Sequence, residues 1–273
     1  MRWPPYKHIF FDCDSTLTTI EGIDVLAETA KKKWRVEVLT NAAMNGDLDL
    51  GEVYEKRLKA VKPSKKQVQA IRSAYKRHIV EDAVEVIRLL QNNSYQVYII
   101  SGGLAEPVEE FGAYLGVPRD HIRAVDVQYN ELSGNWWQSK PGEERYLAYE
   151  AGALTVSDGK AEVVEALLAG KNGRSLLIGD GTSDLLASRA VELFVGFGGV
   201  VARQRVQAEA PVFINTPSIA PLLAIAMGPA QLHSLGNPQL EQKIVQQIET
   251  GALTFQNEQL ETKFQRAFSA RPT

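Results

Sequence analysis

The sequence predicts an α/β fold: a mostly parallel sheet, a helical cap inserted after the first strand, and a helical segment appended at the C-terminus. Three observations predict it. A short apolar run, "HIFF" at residues 8–11, stops at the acidic pair Asp12 and Asp14, as a buried parallel strand does at its carboxyl end. Residues 20–81 then carry only helical periodicity, a span of about 60 residues where such connections usually take about 2–6. From residue 82 strand-like and helix-like stretches alternate, the order that right-handed crossovers build into a parallel sheet covered on both faces.

Each element follows from its local pattern. In the insert, "IDVLAETAKK", "RVEVLTNAAM", "LGEVYEKRLKAV" and "KKQVQAIRSAYKRHI" place apolar residues at three- and four-residue intervals, with "NGDLD" and "KPS" as breaks. Beyond it come helix "AVEVIRLLQNN", strand "QVYIISGG", helix "AEPVEEFGAYLG" and a strand or hairpin in "IRAVDVQYNELSGNWWQ". Helix "GKAEVVEALLAG", strand "RSLLIGDG", helix "TSDLLASRA" and the apolar stretches "VELFVGFGG" and "APVFIN" complete a Rossmann-like core. The expected organisation is a core of residues 1–19 and 82–227, a cap of residues 20–81 that is a candidate lid, and a C-terminal helical extension of residues 228–273. In that extension Ile244, Val245, Ile248, Leu260, Phe264 and Phe268 form an apolar seam that either docks on the chain's own core or pairs with a second subunit as a homodimer.

Composition narrows the function classes. The chain has 273 residues, 44% hydrophobic and 23% charged, the balance of a globular protein with a sizeable core. A net charge of −3 gives no basic excess for a nucleic-acid partner, whereas a small anionic ligand needs only a local patch. The single cysteine, Cys13, excludes an internal disulfide and a multi-thiolate metal site, and fits a reducing compartment. Pro4 and Pro5 interrupt the N-terminus where a signal peptide needs an apolar stretch, and no run approaches a membrane span. The expectation is a cytoplasmic protein without a membrane partner.

The chemistry gathers at three strand ends, "FFDCDST", "IISGG" and "LIGDGTSD", where ligands of such sheets bind. Asp12 and Asp14, at i and i+2 of an extended chain, leave on the same side. A divalent cation makes two such acids tolerable and divides their work, Asp12 as carboxylate nucleophile and Asp14 as general acid and then base. A pair of turn or N-cap aspartates is the plainer alternative. In "GDGTSD", Asp180 ends an apolar strand, Gly179 and Gly181 permit close approach, and Asp184 falls in the first helical turn. That is an oxygen-donor set of the kind Mg²⁺ takes, or a structural loop before a capped helix. Ser101, Gly102 and Gly103 offer a hydroxyl and backbone N–H groups at a helix start, a cradle for phosphate or ordinary turn chemistry. Lys160 opens a helix, where a lysine is unfavourable to the dipole. An ammonium bridging the nucleophile and a transferring phosphoryl oxygen would account for it.

Taken together, DCDST, ISGG, GK and GDGTSD stand in the order of the haloacid-dehalogenase-like phosphatases, and the chain resembles that family over about residues 7–225. "FDCDSTLTTIEGIDVLA", "AAMNG", "EKRLKAVKPS" and "VGFGG" resemble the branch acting on O-phosphoserine. The resemblance implies a phosphoric monoester hydrolase of amino-acid (serine) biosynthesis with an aspartyl-phosphate on Asp12. Mg²⁺ would be held by Asp12, Asp180 and the Asp14 backbone carbonyl with Asp184 in support. Ser101, Gly102, Gly103 and Lys160 would bind the phosphoryl oxygens, Glu21 the substrate ammonium and Arg57 its carboxylate, with Met44 packing over the opening. Another small phosphomonoester, of a sugar, polyol, nucleotide or pyridoxal, is the alternative substrate, and a phospho-receiver or binding module the alternative class. Two departures stand out. Ser183 replaces the Asn of many relatives, which bears on hydrogen bonding around the metal, and "VEDAVEV" lacks the Pro-Gly often found there, which bears on helix capping rather than chemistry.

Overall fold

The computed structural model describes residues 3–45, 48, 50–130, 142 and 144–270, without the side chains of residues 35, 43–45, 50 and 52. Its strands are β1 (His8–Phe11), β2 (Gln96–Leu104), β3 (Ile122–Val125), β4 (Val127–Asn130), β5 (Arg145–Tyr149), β6 (Ser175–Gly179), β7 (Leu193–Phe197), β8 (Val212–Ile214) and β9 (Leu253–Phe255). Seven of them form one sheet in the order β3-β2-β1-β6-β7-β8-β9. All its pairs are parallel except β8 with β9. Every residue of β1, β6 and β7 is buried, which is why these segments read as continuous apolar runs. β1 lies between β2 and β6, so the chain winds outward from it in both directions and opens a crevice at the carboxyl ends of these three strands.

Among the described residues four helices, α1 (Gly22–Thr29), α2 (Lys33–Asn45), α3 (Leu50–Val61) and α4 (Lys65–Arg77), lie between β1 and the next helix, α5 (Ala83–Asn92). The "KPS" break starts α4 through a capping box. Ser64 Oγ accepts from the Gln67 N–H at 3.3 Å, and the Ser64 N–H donates to Gln67 Oε1 at 2.8 Å. The passages into and out of these helices are clasped by an antiparallel bridge between Thr18 and Ile79. At the start of α5, where the Pro-Gly is missing, Asp82 takes a left-handed conformation, φ 66°. Aspartate enters that region more readily than most residues, and contacts remote in sequence hold it there. Here the carboxylate accepts from Ser218 Oγ and Lys243 Nζ, each at 2.5 Å.

Lys243 belongs to α11 (Pro238–Glu249), which with α12 (Glu258–Ser269) makes the end of the described chain helical. Between them β9 extends the sheet antiparallel to β8, Leu253 opposite Ile214 and Phe255 opposite Val212. Three residues are too few for a period-2 pattern to register, so sequence periodicity passes over this strand. Of the two uses expected for the apolar seam, the chain makes the first. Ile244, Ile248, Phe264 and Phe268 are buried in its own core, with Val245 and Leu260 partly so. The Trp3 indole meets Phe264 edge-on at 5.3 Å. The strand-or-hairpin segment holds β3 and β4, and β4 pairs antiparallel with β5, which lies beyond that segment. Its "ELSGNWWQ" portion lies outside the described residues.

Candidate active site

Asp12 directly continues β1, its N–H donating to the Ile178 carbonyl of β6 at 2.9 Å, and Asp180 directly follows β6. Asp184 reaches back from α8 (Thr182–Leu186). A Cβ on Gly179 would lie 2.3 Å from the Asp184 carboxyl carbon, so only glycine admits that side chain. Asp184 Oδ2 accepts from the Gly181 N–H at 3.1 Å. Lys160, the first residue of α7 (Lys160–Leu168), donates through Nζ to Asp12 Oδ1 and Asp184 Oδ1, both at 2.6 Å. Two carboxylates thus offset the unfavourable dipole at this helix start. Oxygens of Asp12, Asp180 and Asp184 lie within 4.8 Å of one another, all three residues buried.

The neighbouring crevice, about 600 Å³ with its mouth included, is lined by Asp12, Asp14, Glu21, Arg57, Ser101, Gly102, Gly103, Lys160 and Asp184, with Tyr54 and Ser183 among others. Asp14 Oδ1 accepts from the Tyr75 hydroxyl of α4 at 2.5 Å and from the Gly22 N–H at 3.3 Å. Ser15, at φ 55°, turns the chain sharply after the acidic pair, and its hydroxyl donates to Glu21 Oε1 at 2.8 Å. The SGG segment is still within β2, whose pairing with β3 breaks between Ile100 and Leu104. There the Gly103 N–H donates to Ser101 Oγ at 2.9 Å and the Gly102 carbonyl accepts from the Tyr54 hydroxyl at 2.9 Å. Arg57, on α3, is buried, donating from Nη1 to Thr40 Oγ1 at 3.2 Å, while its buried Nε has no hydrogen-bond partner among the described residues.

Burial dominates the electrostatics. It pushes Asp12 well above the ordinary carboxyl range, with Asp184 adding to the rise and Lys160 opposing it. Asp14 is likewise raised by burial and then by Glu21, against its bonds from Tyr75 and Gly22. Asp180 is pushed up to about 7 by burial, although Arg203 donates from Nε to its Oδ2 at 3.0 Å. Burial opposes the Lys160 charge too, but Asp12 and Asp184 outweigh it and hold the ammonium above the usual lysine range. Asp12, Asp14, Asp180, Asp184 and Glu21 face Lys160, Arg203 and Arg57, five acids against three bases. Fully ionised, they leave the excess of two negative charges that a divalent cation neutralises. Convergent carboxylate oxygens are the donors a hard cation takes, so the residues present fit one.

The structure therefore brings ten of the expected residues to one place, nine on the crevice wall and Asp180 with an oxygen within 4.8 Å of Asp12 and Asp184. Met44 belongs to α2, and its side chain is outside those described. Sequence reading passed over Arg203, whose Nη2 also stands 3.9 Å from Glu21 Oε1. Its signal was available, since it lies just beyond the end of β7 and strand ends were the guide elsewhere. Tyr75, Tyr54 and Thr40 gave none, being ordinary members of amphipathic helices.

The chain matches the family described as haloacid dehalogenase-like hydrolase over residues 9–189. Phosphoserine phosphatase of Rattus norvegicus is 31% identical over 210 residues, 76% of this chain and 88% of the relative. A phosphoserine phosphohydrolase-like protein from Francisella tularensis superposes with a TM-score of 0.69 at 25% identity, covering 81% of this chain and 100% of that one. A phosphoserine phosphatase solved as a phospho-aspartyl intermediate analogue superposes with a TM-score of 0.67 at 26% identity, over 80% and 98%.

Proposed function

Because the chain belongs to the haloacid dehalogenase-like hydrolase family, we propose that it is a Mg²⁺-dependent phosphatase that hydrolyses O-phosphoserine through an aspartyl-phosphate. One observation carries the reading: buried Asp12, Asp180 and Asp184 converge within 4.8 Å beside a crevice that Asp14, Lys160 and Ser101 also line.

In the first half-reaction an Asp12 oxygen attacks phosphorus in line, and the ester P–O bond breaks with its electron pair going to the seryl oxygen. Asp14 protonates that oxygen as it leaves. In the second, Asp14 takes a proton from water, the water oxygen attacks phosphorus and the Asp12–phosphoryl bond breaks. Lys160, already bound to Asp12, and Ser101 meet the charge on the equatorial phosphoryl oxygens, the main demand of phosphoryl transfer. Asp12, Asp180 and the Asp14 carbonyl would hold the cation, with Asp184 in support. Bound there, it supplies charge neutralisation at the transferring group.

Residues 20–81 act as the cap that selects the substrate. Glu21 meets the ammonium of the head group and Arg57 its carboxylate. The buried Nε of Arg57, without a partner among the described residues, supports this role, because a buried guanidinium donor without an acceptor is costly until an anion arrives. No helix among the described residues is long and apolar enough to cross a membrane; the setting in this reading is the cytoplasm, where the enzyme works on a small metabolite.

The test is a phosphate-release screen over small phosphomonoesters with Mg²⁺, run beside Asp12→Asn and Arg57→Ala. Asp12→Asn loses all turnover and Arg57→Ala loses the preference for phosphoserine. In the wild type phosphoserine outruns a sugar phosphate by at least about tenfold, about 1.4 kcal/mol in transition-state binding. Equal rates on both esters would keep the phosphatase and end the amino-acid assignment.

A further inference from the structure

The two oxygens of Asp14 have different surroundings. Oδ1 carries two donors, the Tyr75 hydroxyl at 2.5 Å and the Gly22 N–H at 3.3 Å. Oδ2 lies toward the crevice wall, where a Cβ on Gly103 would come within 3.2 Å of it and 3.0 Å of Ser101 Oγ. Tyr75 belongs to none of the strand-end motifs. It arrives from α4, fully buried and packed on Phe111 with ring centroids 5.4 Å apart. Gly22 makes room for it, because a Cβ there would stand 2.3 Å from the Tyr75 hydroxyl oxygen.

We propose that Tyr75 is a positioning residue for the acid–base step, reserving Asp14 Oδ2 as the oxygen that gives the proton to the leaving group and takes one back from water. The assignment rests on the phosphatase reading above and adds to it the group that orients the acid. A carboxyl oxygen already accepting two hydrogen bonds has no room for the proton, which therefore sits on the other oxygen. As the ester P–O bond breaks, the Oδ2–H bond breaks with it and the proton passes to the alkoxide. When water attacks the aspartyl-phosphate, its proton returns to Oδ2. Without the hydroxyl, the carboxyl can turn about its own axis and present a proton away from the crevice. Because Tyr75 lies on an inserted helix, the acid is aligned only while α4 is seated against the end of β1.

The experiment compares wild type with Tyr75→Phe, which keeps the ring and its packing, on O-phosphoserine and on 4-nitrophenyl phosphate in Mg²⁺. Nitrophenolate leaves without protonation, so the aryl ester separates the two half-reactions. On phosphoserine, kcat falls about 10- to 100-fold, part of the usual worth of general acid–base catalysis, with KM little changed. On the aryl ester, the variant releases nitrophenolate in a fast burst of one equivalent, then turns over slowly with phosphoenzyme recoverable after acid quench. Gly22→Ala, whose methyl displaces the hydroxyl, gives the same pattern and adds little when combined with Tyr75→Phe.

A Tyr75→Phe enzyme with wild-type kcat on phosphoserine would overturn the proposal. So would equal losses in burst and steady state, or effects of the two substitutions that multiply in full. A wild-type chain that neither releases phosphate nor takes a phosphoryl group on Asp12 would instead remove the phosphatase reading on which the proposal stands, and the control separates the two failures.

Discussion

Arg203→Met should lower stability steeply in the absence of a cation. The side chain is buried, with its Nε on Asp180 Oδ2 at 3.0 Å and its Nη2 3.9 Å from Glu21 Oε1. Methionine fills similar volume but leaves both acids without this partner. Removing one member of a buried pair costs about 3–5 kcal/mol. The Coulomb attraction of a pair about 4 Å apart at an effective dielectric of about 20, about 4 kcal/mol, has the same size. For a chain of this length about 1 kcal/mol moves Tm by about 2–4 °C, so the expected fall is about 8–16 °C. Scanning calorimetry in EDTA measures it. Repeating the scan in Mg²⁺ narrows the gap, because a cation at Asp180 replaces part of the lost positive charge and stabilises the native state by mass action. A variant melting within about 2 °C of wild type in EDTA would refute the reasoning.

Three further outcomes are expected. Phe264→Ala, which empties a fully buried site between Trp3, Phe255 and Phe268, should cost about 3–5 kcal/mol in a urea titration with one cooperative transition; a separate early transition would show that the C-terminal helices fold apart from the core. Chelation by EDTA should abolish phosphate release and added Mg²⁺ restore it, read by inorganic phosphate production. Asp24, raised from 3.8 to about 6 by burial, then by Glu21 and Glu37, binds its proton more tightly in the native than in the unfolded state. Its stabilising contribution is complete below about 3.8 and lost as pH rises through about 6. Asp24→Asn should therefore gain on wild type between pH 4 and pH 7, by about 1 kcal/mol after solvent screening of this partly exposed group. A Tm difference that is flat across that window would contradict this.

The strands of the core were legible because burial on both faces leaves an unbroken apolar run, and the runs of β1 and β6 lead into Asp12, Asp14 and Asp184, which now share the crevice. "DCDST" and "GDGTSD" were readable for a related reason. Backbone continuity alone carries Asp12, Asp14, Asp180 and Asp184 to the sheet's carboxyl edge, and Gly179 leaves room for the last of them. β9 was not legible, since three residues hold no period and its pairing partner, β8, lies some forty positions earlier in the chain. Neither were the contacts that finish the site. Tyr75 reaches Asp14 across 61 positions and Tyr54 reaches the Gly102 carbonyl across 48.

By itself, the sequence determined the order of the core strands and helices, the family motifs and which acids end which strands, because these depend on residues near one another along the chain. The tertiary structure decided which hydroxyl holds the Asp14 carboxyl, that Arg203 ties Asp180 to Glu21, and that the apolar tail closes on its own core. Those outcomes depend on how helices seat on a sheet. Side-chain packing specifies that seating to fractions of an ångström, whereas periodicity in a sequence records only which face is turned inward.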